Sequence, residues 1–152
     1  MDTVSKTKMI MIVDDEAVVR DVLCSFLELK GYKTVAKSNG QSAISYAEKK
    51  KPDVVLLDIK MPGMNGIETC SRLKQVLPSS PGTGIIMITG HDSKGNLENA
   101  YSSGAIDFVK KPFDLEDVNQ RIRIWYEVRN IEDELSRLTK YSEKVMRKGE
   151  RS

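Results

Sequence analysis

Short apolar runs alternate with stretches of helical spacing along this chain, and polar residues close each run. The first run, Met9-Ile10-Met11-Ile12-Val13, stops at Asp14-Asp15. Val19, Val22, Leu23, Phe26 and Leu27 then recur at helix period, and Gly31 is a suitable stop. Tyr32 to Ala36 reads as a weaker strand, and Ala43, Ile44 and Ala47 mark a short helix. Val54 to Leu57 runs straight into Asp58, and the Pro/Gly cluster Met61-Pro62-Gly63-Met64-Asn65-Gly66 ends that strand in a turn. Ile67, Cys70, Leu73 and Leu77 give a third helix, and Ile85 to Ile88 a fourth strand that closes on Thr89-Gly90. A polar helix carrying Leu97, Ala100 and Tyr101 ends near Gly104, and Ile106 to Val109 is a last strand before Lys110-Lys111-Pro112-Phe113.

Five strand–helix repeats predict an α/β fold, a doubly wound parallel sheet with helices on both faces. Right-handed crossovers leave the flavodoxin-like strand order 2-1-3-4-5 as the best topology. After Asp114-Leu115-Glu116-Asp117, a good helix start, the helical pattern does not visibly stop. Ile124, Val128, Ile131, Leu135, Leu138, Ser142 and Val145 alternate in steps of four and three, a heptad pattern over about three heptads. The expected organisation is a polar N-terminal tail over 1–7, one domain over 8–127, and a helical extension over 128–152. That extension is a candidate coiled-coil linker or homodimer seam. Ser142 interrupts the seam, and Glu127 would face Glu132 of a parallel partner, so a single solvated helix stays open beside it.

Composition narrows the function classes. The 152 residues hold 24 basic and 22 acidic side chains, a net charge of +2. That balance argues against nucleic acid or an acidic lipid surface as the partner. The tail's Arg121, Arg123, Arg129, Arg137, Lys140, Lys144 and Arg147 are diluted by Glu132, Asp133, Glu134 and Glu143. The two cysteines, Cys24 and Cys70, have no metal-ligand spacing and read as packing residues in a reducing compartment. With no leader or apolar span in sight, the expected location is the cytoplasm.

Ligands of open α/β sheets bind beyond the carboxyl ends of the strands, so the residues there are a functional test. They are Asp14-Asp15, Asp58, Thr89 and Lys110-Lys111, whereas strand 2 ends in the uninformative Lys37-Ser38-Asn39. Two carboxylates about 4 Å apart repel by roughly 4 kcal/mol at an effective dielectric of 20. One of them must take up a proton, or a cation must sit among them. Carboxylates, a phosphate oxygen and waters are the usual setting for Mg²⁺, and a lysine and a threonine hydroxyl suit the remaining phosphoryl oxygens. An aspartate with a reference pKa of about 4 is already ionised at neutral pH and can act as a nucleophile. Asp15 also has a plainer reading, as a helix cap.

These motifs, IVDDE, LLDIKMPGMNGIE, MITG and FVKKPF, resemble in order and spacing the receiver domain of bacterial two-component response regulators, over residues 8 to 127. The resemblance implies that Asp58 accepts a phosphoryl group from a histidine kinase or histidine phosphotransfer protein. It makes Asp15 a direct Mg²⁺ ligand, Asp14 an acidic partner that helps hold the metal, and Asp58 and the Lys60 backbone carbonyl further ligands. Thr89 becomes the switch hydroxyl and Lys111 the phosphoryl's ion-pair partner, ahead of Lys110, with a cis bond expected at Lys111-Pro112. Phe108 falls at the aromatic switch position, although its simpler reading is core. Lys60, Gly90 and His91 fall where the rate of phosphoryl loss is tuned, and His91 otherwise reads as a solvated loop residue. The change would reach a partner or dimer through helix 4, strand 5 and helix 5, with catalysis limited to accepting and hydrolysing one phosphoryl group.

Other readings stay open. The chain is a single-domain regulator or a receiver fragment of a larger hybrid kinase or effector, or a receiver-shaped binding module that is not phosphorylated. A phosphohydrolase working through an aspartyl-phosphate would want an acid two residues after the nucleophile, where Lys60 stands.

Overall fold

The computed structural model describes residues 8–78, 82–90 and 94–151. Strands β1 (Met9–Val13), β2 (Lys33–Lys37), β3 (Val54–Asp58), β4 (Gly84–Thr89) and β5 (Asp107–Lys110) alternate with helices α1 (Ala17–Leu29), α2 (Gly40–Lys49), α3 (Gly66–Val76), α4 (Lys94–Ser102) and α5 (Leu115–Val128), and α6 (Glu134–Arg151) follows. The five strands form one sheet in the order β2-β1-β3-β4-β5, and every pair is parallel. Fold class and strand order are therefore as expected.

The apolar runs split by parity. Met11, Val13, Val55, Leu57, Ile85 and Met87 face one core, with Cys70 and Leu73 of α3, Ala43 of α2 and Ala100 of α4. Ile10, Ile12, Val54, Leu56, Ile86 and Ile88 face the other, with Leu23 and Leu27 of α1 and Ile122 and Trp125 of α5. Alternation along each strand sends successive side chains to opposite faces, so a strand buried on both must be apolar throughout. Two helix starts are fixed by asparagine: Asn39 accepts from the Ser42 N–H and Asn65 from the Glu68 N–H.

The C-terminal helix is present but does not continue α5. The chain breaks after Val128 and turns, and α6 packs back along α5. The start signal is Asp133, whose carboxylate accepts from both the N–H and the hydroxyl of Ser136. A capping aspartate inside a run of helical spacing stops one helix and starts the next. The expected heptad positions are consequently divided between two helices: Ile124 and Val128 are buried on α5 and Val145 of α6 packs against the same core, while Leu135 is 74% exposed. Tyr141, outside that seam, is buried in that core beside Val145, and Arg137 of α6 is buried as well.

Candidate functional site

The carboxyl ends of β1, β3, β4 and β5 meet at one edge of the sheet. Asp14, directly after β1, and Asp58, the last residue of β3, are both buried, whereas Asp15 is exposed. One carboxylate oxygen from each of the three lies within 4.8 Å of the others. The Lys111 ammonium, just past β5, sits 3.1 Å from Asp14 Oδ2, 3.2 Å from Glu16 Oε1 and 3.6 Å from Asp58 Oδ2. Its backbone N–H donates to the Thr89 carbonyl at 2.6 Å, which ties the β5 end to the β4 end. Thr89, the last residue of β4, is buried. Lys110, its register partner, is exposed, whereas the Lys111 ammonium lies among the carboxylates. The Lys111-Pro112 peptide bond is cis.

The chain leaves Asp58 through a turn its sequence requires. The Lys60 N–H donates back to Asp58 Oδ1 at 3.2 Å, and the Lys60 side chain points out to solvent. Gly63 adopts a φ of 77°, in the left-handed region that favours glycine. A Cβ on Gly66 would collide with the Asp58 carbonyl oxygen and the Ile59 Cα, so this helix start reaches the strand end only as glycine. Gly90 is different: it is exposed, and a methyl there would meet no atom within 4 Å. Phe108 is half-buried against the core that holds Met87, its register partner. His91 lies outside the described residues.

Charge in the pocket is out of balance. Burial first, then the neighbouring Asp14, push the Asp58 carboxyl up to about 7, against the pull of Lys111 and the Lys60 N–H. Burial acts to lower the Lys111 pKa, but its hydrogen bond to Asp14 and the charges of Asp58 and Asp14 outweigh it and hold the ammonium above its usual value. One ammonium thus faces Asp14, Glu16 and Asp58, with Asp15 alongside. All the donors are hard oxygens, and their uncompensated charge fits a small divalent cation such as Mg²⁺.

Glu16 is the site residue that reading the sequence missed. Its N–H donates to Asp14 Oδ1 at 2.9 Å, and its carboxylate holds Lys111. The signal was present as the third acid of IVDDE. It becomes legible only once the β5 end is known to lie across from the start of α1. Glu16→Gln removes one exposed negative charge beside the pocket, and at low salt Mg²⁺ affinity is expected to fall about threefold. Calorimetric titration of both proteins would read this, and equal affinities would remove Glu16 from the metal's surroundings.

Comparison with known proteins agrees with this geometry. Residues 10–123 match the response regulator receiver domain family. The chain is 36% identical over 116 residues to the alkaline phosphatase synthesis transcriptional regulatory protein PhoP of Bacillus subtilis, covering 76% of this chain and 47% of that protein. It is 34% identical over 123 residues to the DNA-binding response regulator MtrA of Mycobacterium tuberculosis, covering 81% of this chain and 51% of that one. A CheY-like receiver domain protein from Methanospirillum hungatei superposes with a TM-score of 0.78 at 27% identity, over 84% of this chain and all of its own. The chain spans about half the length of these two curated relatives. Their names are those of transcriptional and DNA-binding regulators, so the exclusion of nucleic acid drawn from net charge finds no support among them. Among the described residues no helix is long and apolar enough to cross a membrane. With its parallel 2-1-3-4-5 sheet and an acidic pocket of Asp14, Asp15 and Asp58, this chain belongs to the response regulator receiver domains of two-component systems.

Proposed function

We propose that the chain is a phosphorylation-dependent switch in the cytoplasm that takes a phosphoryl group onto Asp58 from a histidine kinase or histidine phosphotransfer protein. The observation that carries this reading is the pocket itself: a carboxylate at a rigid strand end, with Lys111 3.6 Å away and Asp14 and Asp15 beside it. An Asp58 oxygen forms a bond to phosphorus as the bond to the donor's imidazole nitrogen breaks, and that nitrogen keeps the electron pair. Asp14, Asp15, Asp58 and the Lys60 carbonyl would hold Mg²⁺, which when bound neutralises charge on the phosphoryl oxygens. Lys111 pairs with a phosphoryl oxygen, and the Thr89 hydroxyl hydrogen-bonds another. Phe108, Lys60, Gly90 and His91 are assigned to relaying the change and to tuning its lifetime. Beyond accepting and losing this group, the chain is assigned no turnover.

The test uses Mg²⁺ and acetyl phosphate with wild type and Asp58→Ala, read by intact mass. A Mg²⁺-dependent gain of one phosphoryl group is expected on wild type, with at least a hundredfold less on the variant. No adduct on wild type, with metal and donor in excess, would reassign the domain to binding alone.

A further inference from the structure

The chain has one tryptophan, Trp125 on α5, and α6 covers it. Tyr141 meets its ring edge-on, with 6.3 Å between centroids, and the Arg137 guanidinium lies 5.9 Å from its centroid. The Tyr141 hydroxyl donates at 2.6 Å to Asp107 Oδ2, at the start of β5, and Arg121 of α5 donates to the same oxygen. Lys144 of α6 pairs with Glu127 of α5 at 2.9 Å. Strand β5 is only four residues long, and Lys111 follows directly at its far end. One short extended segment therefore holds α6 at Asp107 and the acidic pocket at Lys111.

The seat of α6 is incomplete. A cavity of about 100 Å³ lies beneath it, lined by Lys74, Tyr101, Trp125, Arg137 and Leu138 among others. The buried Nε of Arg137 finds no hydrogen-bond partner among the described residues. Unfilled volume and an unpaired buried donor both cost stability, so this contact is weaker than its aromatic burial alone suggests.

We propose that α6 is a detachable cover on β5 and α5, seated while Asp58 is unmodified and released when Asp58 carries a phosphoryl group. This rests on the phosphoacceptor reading of Asp58. A phosphoryl group brings nearly two negative charges and competes with Asp14 and Glu16 for the Lys111 ammonium. Movement of Lys111 is carried along β5 to Asp107, where the Tyr141 hydroxyl is anchored. The direction follows from the incomplete seat: with a cavity and the unpaired Arg137 Nε beneath α6, weakening the Tyr141 anchor at Asp107 favours the released state. Linkage is reciprocal, and loosening α6 favours the phosphorylated form.

Trp125 reports the cover without any label, because indole emission reddens when the ring meets water. The full chain is treated with Mg²⁺ and acetyl phosphate, and emission and intact mass are followed together. A red shift that grows with the mass adduct is expected, with neither change in Asp58→Ala. Tyr141→Phe, which removes the hydroxyl and keeps the ring, is expected to start red-shifted before any donor is added. An adduct with unchanged or blue-shifted emission overturns the cover while leaving the phosphoacceptor reading intact. No adduct at all overturns that reading and the trigger with it. Unchanged emission in Tyr141→Phe overturns the Asp107 anchor.

Discussion

Asp58→Asn is expected to melt several degrees above wild type at pH 8 without metal, and the gain is expected to disappear in acid. The Asp58 carboxyl stands near pH 7 in the folded protein against an ordinary value of 3.8. Between those values the folded state holds a proton that the unfolded state has released. Folding stability therefore falls as pH rises through that window, and the penalty is complete above about pH 7. Three pKa units set a ceiling of about 4 kcal/mol, and relaxation of the pocket brings a realistic gain to about 2 kcal/mol. Below about pH 4 both states are protonated, and the two proteins should converge. Mg²⁺ should raise the wild-type Tm and barely move the variant's, because it stabilises the ionised pocket. Thermal melts at pH 4 and pH 8, with and without Mg²⁺, would read all of this. Equal Tm values at pH 8 without metal would mean that Asp58 is not under electrostatic stress.

At the opposite end of the same strand, Asp53→Ala is expected to cost about 2 kcal/mol, less than breaking a fully buried ion pair because Asp53 and Arg129 are only partly buried. Asp53 precedes β3 and gathers three donors: the Met9 N–H at 3.0 Å, the Tyr126 hydroxyl at 2.8 Å and Arg129 Nη1 at 2.7 Å. Truncation leaves the Arg129 guanidinium, whose Nε already has no partner among the described residues, without its counter-charge. Tyr126 loses an acceptor as well, although its ring keeps the stacked Tyr32 at 6.0 Å and the Lys8 ammonium at 4.8 Å. Urea unfolding would measure the loss, and a change below 1 kcal/mol would show that solvent satisfies this cluster. The folded fraction should still be phosphorylated, since Asp58 keeps every partner.

The two ends of β3 differ in how far the sequence exposes them. Asp58 was legible because a charge that ends an all-apolar run, followed by Pro62, Gly63 and Gly66, has few uses other than chemistry. Asp14, Asp15, Thr89 and the pair Lys110-Lys111 followed, since a parallel sheet brings all strand ends to one edge, and the resemblance to receiver domains chose Lys111 of the two. Asp53 gave no such signal. Its partners Met9, Tyr126 and Arg129 lie 44, 73 and 76 residues away, and nothing local announces them. The break between α5 and α6 was hidden for another reason. Helical spacing runs through Ile131 and Leu135 on both sides of it, and the Asp133 cap is indistinguishable in sequence from an ordinary surface acid. The inward face of α6 carries Arg137, Tyr141 and Val145, and of these only Val145 stood on the expected seam.

The strand order has a last consequence, for how copies of this chain can meet. Its outer strands are β2 and β5, and each is poorly suited to adding a further strand. Lysines stand at both ends of β2, and β5 offers four residues with a carboxylate at its start and a lysine at its end. Charged, short outer strands resist the backbone pairing that leads to fibrils. Contacts made through helix faces can re-form and dissolve, as a signalling protein requires, whereas strand addition tends toward permanence. The sheet that holds Asp58 rigid is thereby also closed to its own kind.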